Sequence, residues 1–337
     1  MTTSAILSLG YVAVYVGLAG VASFIEKPAG RGVGAFQLNA LGRARGGAVA
    51  LTLLGATLLA LSTGRFKRKF RSFQRHDRWS SPLLHCRAVD DPTAITPDRC
   101  AALVAPQIER LTFAVIHASI ARAGQRLMTY GVPPDAIDIV GQLRTGLAAR
   151  PVSAAGLAAI YRYRDADQVR RNLDTLVSAG IIEQTGDGAI VATRTGHDLL
   201  TVMYESGAEA TAELWSAHRE TVADLSELAG RLVAAAAASG GDAYGAVAPP
   251  YEPPGASPGL LLHHRLAVLR YHRADAHAAA WQAAGHTVDT IRGLADGPER
   301  ELIETETNRR AGQPYAALGA AERPRLASGL TDLPGEP

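Results

Sequence analysis

Residues 151–193 read PVSAAGLAAIYRYRDADQVRRNLDTLVSAGIIEQTGDGAIVAT, and the fold turns on them. Ser153 stands where an N-cap hydroxyl belongs, and Leu157, Ile160 and Tyr161 follow at helical spacing. That pattern predicts a short helix. Asp165 caps a second helix with Val169, Leu173 and Leu176 inward, and Gly180 ends it. IIEQTGDGAIVAT then reads as two short strands around the turn Thr185-Gly186-Asp187-Gly188, after which Thr193 caps another helix. Just upstream, Ile139, Val140, Leu143 and Leu147 share one helical face. Three short helices followed by a β-hairpin are the element order of a winged helix-turn-helix.

The second helix, ending in LVSAGIIEQ, sits with the hairpin behind it in the run 150–200, and this run resembles the winged-helix domain of MarR-like regulators. The resemblance implies a DNA-binding, often ligand-responsive, dimeric regulator. On a helical wheel the outward positions are Asp167, Gln168, Arg171, Asp174, Thr175 and Ser178, with Arg170 at the flank. Arg171 and Gln168 carry the donor patterns that read guanine and adenine in a major groove. The expected DNA-contacting set is Gln168, Arg170, Arg171, Thr175 and Arg194, on double-stranded DNA. Asp167 and Asp174 would repel phosphate, and the wing carries Glu183 and Asp187. The alternative is therefore a ligand or partner module that uses the same scaffold without binding DNA.

Upstream, Thr96-Pro97-Asp98 reads as a helix start. Pro106 is expected to break or restart that helix, with a longer one over 107–130 ended by Gly131-Val132-Pro133-Pro134. Downstream, a helical stretch over 195–238, with a break expected near Ser206-Gly207, carries Leu214, His218, Val222, Leu225, Leu228 and Leu232 at three- and four-residue spacing. That stripe suits either a homodimer interface or packing within the chain. Residues 239–259, SGGDAYGAVAPPYEPPGASPG, read as a flexible linker by composition.

A last helix over 260–284 holds LLLHHRLAVLRYHRADAHAAAWQAAG, and its Arg273, Asp275 and His277 look like the R-x-D-x-H segment of SalK-type helix-turn-helix proteins. Arg273, His277 and Trp281 stack at four-residue steps, a set suited to a small anionic ligand. The other reading gives Arg273 an internal carboxylate, with Glu301, Glu304 and Glu306 as candidates, and leaves Asp275 to solvent or a neighbouring helix. His263, His264, His272 and His277 do not fall on one face, so no metal site is expected.

The chain begins with two apolar stretches, 4–25 and 46–61, and the second runs into RFKRKFRSFQRHDR. They predict a two-helix transmembrane hairpin. An apolar helix, FIEKPAGRGVGAFQLNALGRARGG and a second apolar helix resemble the start of EamA-type drug/metabolite transporters, over about the first 65 residues. Two helices cannot build a substrate pathway, so the expected role is an anchor in membrane lipid or a fused remnant. The opening residues MTTSAILSLG have no basic region of the kind that starts a cleavable signal peptide.

The expected organisation is mainly α. A transmembrane hairpin (1–64) leads through a basic juxtamembrane segment and linker (65–95) to the winged helix-turn-helix domain with long flanking helices (96–238). The linker (239–259) and a C-terminal helical domain (260–332) follow. A net charge of +2 over 337 residues does not argue for nucleic acid by itself. Cys86 and Cys100 make no disulfide framework and point to a reducing compartment. The sequence holds no phosphate loop, dinucleotide fingerprint, nucleophile elbow or HExxH motif, so neither an enzyme nor a cofactor is expected.

The basic run after the second stretch should be cytoplasmic, placing the rest of the chain in the cytoplasm at the cell membrane. Reporter fusions after Arg78 and within 32–37 are expected to report opposite sides. The same side for both would contradict the hairpin.

Overall fold

The computed structural model describes residues 95–335. The expected hairpin, the basic run and nearly all of the linker that follows it lie outside the described residues. Among the described residues no helix is long and apolar enough to cross a membrane. The described chain is mainly helical.

Helix α1 (Pro97–Met128) runs unbroken through Pro106, contrary to the expected break. Pro106 is exposed, so the hydrogen bond its nitrogen cannot make is lost on the solvent side. Val104, Ile108, Leu111 and Val115 hold both sides of it on the core. Helix α2 (Pro134–Leu147) buries Ile139, Val140, Leu143 and Leu147. Helix α3 (Ala154–Ile160) is capped by Ser153, whose hydroxyl accepts from the Gly156 N–H, and α4 (Ala166–Ser178) by Asp165, which accepts from the Gln168 N–H. Gly180, at φ 66°, turns the chain out of α4.

Strands β1 (Ile182–Gln184) and β2 (Ile190–Ala192) pair antiparallel, with Glu183 opposite Val191. Val152 bridges to Ile190 and ties the hairpin to the start of α3. The Thr193 hydroxyl caps α5 (Arg194–Leu214). Helix α5 continues through Ser206-Gly207, where a break was expected. Gly207 is buried within it, and Leu260 lies 3.2 Å from where a Cβ would stand. The break comes instead at a 3₁₀ turn, Ser216–His218, beside the buried Trp215.

Helix α6 (Arg219–Ala236) puts Val222, Leu225, Leu228 and Leu232 into the chain's own core. The stripe that suited a dimer is thus covered from within. The stretch 239–259 is not a free linker. It forms α7 (Asp242–Val247), which buries Ala243, Tyr244, Ala246 and Val247, and its Tyr251 N–H donates to the Thr145 carbonyl at 2.6 Å. Its glycine and proline content hid these apolar anchors. Helix α8 (Pro258–Ala283) follows, then α9 (Val288–Gly293), α10 (Pro298–Ala311), a 3₁₀ turn (Gln313–Ala317) and α11 (Glu322–Asp332). One core joins residues from α1 to α11, so the described chain is not divided at the expected linker. A smaller cluster of Ala278, Ala280, Trp281, Ile291 and Ile303 closes the far end of α8.

Two glycines of α2 test this packing. A Cβ at Gly146 would lie 1.9 Å from the Ala246 carbonyl oxygen of α7, whereas one at Gly141 meets nothing within 4 Å. Gly146→Ala should cost about 2–4 kcal/mol in denaturant unfolding. Gly141→Ala should gain about 0.5–1 kcal/mol from the lower entropy of its unfolded chain. Equal effects would contradict the contact between α2 and α7.

Candidate functional site

Helix α8 is buried on nearly every side, yet it carries histidines, arginines, a tyrosine and an aspartate along its length. Buried polar groups need hydrogen-bond partners, and each neighbouring element supplies one. Arg144 of α2 donates from Nη2 to His263 Nε2 at 2.8 Å, and from Nη1 to the Gly141 carbonyl at 2.6 Å. A guanidinium only donates, so His263 accepts at Nε2 and carries its proton on Nδ1. That Nδ1 is buried without a partner among the described residues. His264 Nδ1 donates to the Tyr251 carbonyl at 3.0 Å. His272 Nε2 meets the Ser239 hydroxyl at 2.9 Å. The three histidines thus face three different segments.

Asp275 was expected to face solvent or a neighbouring helix, and it faces a helix. Its carboxylate pairs with Arg162 at 2.5 Å and accepts from the backbone N–H groups of Gly241 (3.1 Å) and Tyr244 (2.8 Å) at the start of α7. It therefore caps α7 from outside that helix. Arg273 donates to Glu304 at 3.1 Å and to Asn308 at 2.8 Å, both on α10. Glu301 is exposed, and Glu306 pairs with Arg309 and Arg310. His277 Nδ1 lies 3.2 Å from the Thr307 hydroxyl and 3.6 Å from Glu304. Trp281 donates to the Tyr163 hydroxyl at 2.9 Å within the smaller cluster. The side chains of Arg162 and Asp275 are 14% and 9% exposed, against 28% and 47% for Arg273 and Glu304. The first pair is a buried joint, and the second is a partly screened surface contact.

A cavity of about 800 Å³ opens between α1, α2 and α8. Phe113, Ile116 and Ile120 of α1 give it one apolar wall, and Met203 and Leu260 contribute from α5 and α8. Arg144, Arg162, Arg164, Arg270 and Arg273 also line it. Of the residues expected to bind ligand or DNA, Arg273, His277 and Gln168 border this cavity, whereas Trp281 does not; His263, His264, His272 and Glu304 also line it. Arg270 and Arg144 were missed. Arg144 stands four residues after Val140, on the apolar face of α2, and a lone arginine there was the available signal.

The expected DNA-contacting residues lie on α4 and at the first position of the following helix. Gln168, Arg170, Arg171 and Arg194 are exposed, and Thr175 is half-buried. Arg170 is paired with Asp167, and Arg171 donates to the Gln168 side chain at 2.7 Å. The Thr175 hydroxyl donates to the Arg171 carbonyl at 2.9 Å. Asp165, Asp174, Glu183 and Asp187 are exposed around them. The Thr185 hydroxyl and the Ala189 N–H hold the Asp187 carboxyl below its ordinary range. Among the described residues no group of three or more His, Cys, Asp or Glu is placed to hold a metal. Compared with protein families, with curated proteins and with solved structures, the chain matches none.

Burial, then the charge of Arg144, pushes His263 well below its ordinary value and His264 down to about 3. Both are neutral in the folded protein at pH 6, whereas the unfolded chain takes up protons there. Stability is therefore fully present above about pH 6.5 and falls with decreasing pH, by up to about 1.4 kcal/mol per pH unit for each histidine. Denaturant unfolding between pH 7 and 4.5 should show this, with a shallower dependence in His263→Gln. The same dependence in both proteins would contradict the assignment.

Proposed function

We propose that the described chain is a small-molecule-binding module on a winged helix-turn-helix scaffold. The three-helix and hairpin order of α2, α3, α4, β1 and β2 supports that scaffold. The observation that carries the function is the cavity of about 800 Å³. Its volume lies within the range of small-molecule sites, and it combines an apolar wall with a lining that carries both arginines and carboxylates.

The face a winged helix would turn to DNA weighs against nucleic acid as the main partner. Arg170, Arg171 and Arg194 stand there against Asp165, Asp167, Asp174, Glu183 and Asp187, so three positive charges meet five negative ones. Phosphate contacts supply most of the affinity for DNA and require the opposite balance. A ligand-responsive transcriptional regulator is the second reading. It is favoured by Gln168, which is exposed on α4 and also borders the cavity. In either reading the two apolar stretches near the start anchor the module in the membrane and leave it in the cytoplasm.

Gly141 lines the cavity, and a Cβ there has open space. Gly141→Leu should therefore fill part of the cavity without disturbing its walls. A thermal-shift screen of the full chain in detergent against a chemically varied library is expected to give compounds that stabilise the wild type but not Gly141→Leu. Hits that shift both proteins equally, or no hits at all, would overturn the reading. Selection from random DNA at low salt is expected to enrich nothing. An enriched sequence whose binding weakens in Arg171→Ala would put the regulator first.

A further inference from the structure

The arginines of the cavity differ in what holds them. Arg144 donates to Gly141 and His263, Arg162 to Asp275, Arg164 pairs with Asp138 at 2.8 Å, Arg273 pairs with Glu304, Arg292 donates to the Tyr163 carbonyl, and Arg300 donates to the Leu294 carbonyl beside Asp296. Arg270 has no carboxylate and no hydrogen-bond acceptor among the described residues. Its guanidinium lies against two rings instead, 5.0 Å from the centroid of Phe113 and 5.7 Å from that of Tyr271. Such contacts hold a guanidinium by its charge against the rings and leave its N–H groups without a protein acceptor. The residue is half-buried and lines the cavity.

Two further features bear on what those N–H groups would meet. His263 lines the same cavity with a buried Nδ1–H that lacks an acceptor among the described residues. The buried Tyr271, whose hydroxyl donates to Gln142, lies in the fields of Arg270, Arg144, Arg164 and Asp138, three cations and one anion. The apolar wall of Phe113, Ile116 and Ile120 adjoins this group along α1, at three- and four-residue spacing.

We infer that the cavity takes a small organic carboxylate, with its carboxylate forked on the edge of Arg270 and its apolar body along Phe113, Ile116 and Ile120. A guanidinium with free N–H groups matches the two oxygens of a carboxylate. A doubly charged phosphate has no apolar body to lay along that wall, and burying its charge unpaired is costly. This inference rests on the small-molecule reading above and adds the chemical class of the ligand.

The test is calorimetric titration of the full chain with benzoate, phenylacetate and octanoate, their neutral amides, and inorganic phosphate. At least one acid is expected to bind, with its amide weaker by about 10-fold or more, the difference expected for one charge-assisted fork. In Arg270→Met that acid should fall to the affinity of its amide, and Arg270→Lys should recover part of the difference. Melting of both ligand-free variants shows that the fold is intact. Acid and amide binding equally well, both lost in Gly141→Leu, would overturn the carboxylate and leave the cavity standing. Acid binding unchanged in Arg270→Met would overturn the site. Binding of phosphate alone, or of no probe, would overturn the class, while the library screen judges the cavity separately.

Discussion

A helix enclosed on nearly every side cannot leave its polar side chains in water, and α8 is such a helix. Much of the described structure follows from meeting that demand. Asp275 is the clearest case. A carboxylate only 9% exposed is held by Arg162 and by the first N–H groups of α7. One side chain therefore joins the turn after α3, the start of α7 and the middle of α8. Removing one partner of a buried ion pair typically costs about 3–5 kcal/mol, because the other is left uncompensated. His263 with Arg144, His264 with Tyr251 and His272 with Ser239 repeat the pattern along the same helix. The close approach of Gly146 to Ala246 locks α2 against α7 where these partners converge.

The joint also explains the position of the cavity. Between the polar contacts of α8 and the apolar face of α1, the helices α1, α2 and α8 do not close on one another, and the space is bordered by half-buried rings and guanidinium groups. Gln168, at the start of α4, reaches its border. A ligand there would touch α4, whose exposed residues and those of the hairpin behind it carry more carboxylates than arginines.

From Pro134 to Ala192 the elements were legible in the sequence because local signals agree there. Ser153, Asp165 and Thr193 cap the helices they were expected to cap, and Gly180 has the positive φ a helix stop requires. Signals that depend on distant partners failed. Pro106 is tolerated because its face is exposed, Gly207 lies buried against Leu260 in an unbroken helix, and α7 is anchored by apolar residues set among glycines. The site was only partly readable for the same reason. Arg273 and His277 stood out by spacing, and both border the cavity. Arg270 did not, because Phe113, one of the two rings that hold it, is far away in the chain.

The central claim is that the cavity holds one small molecule. Native mass spectrometry of the full chain, released from detergent after incubation with a compound that stabilises it, tests this most directly. The account predicts one bound molecule per chain in the wild type and none in Gly141→Leu at the same concentration. Equal occupancy in both proteins, or several molecules bound without saturation, would contradict it.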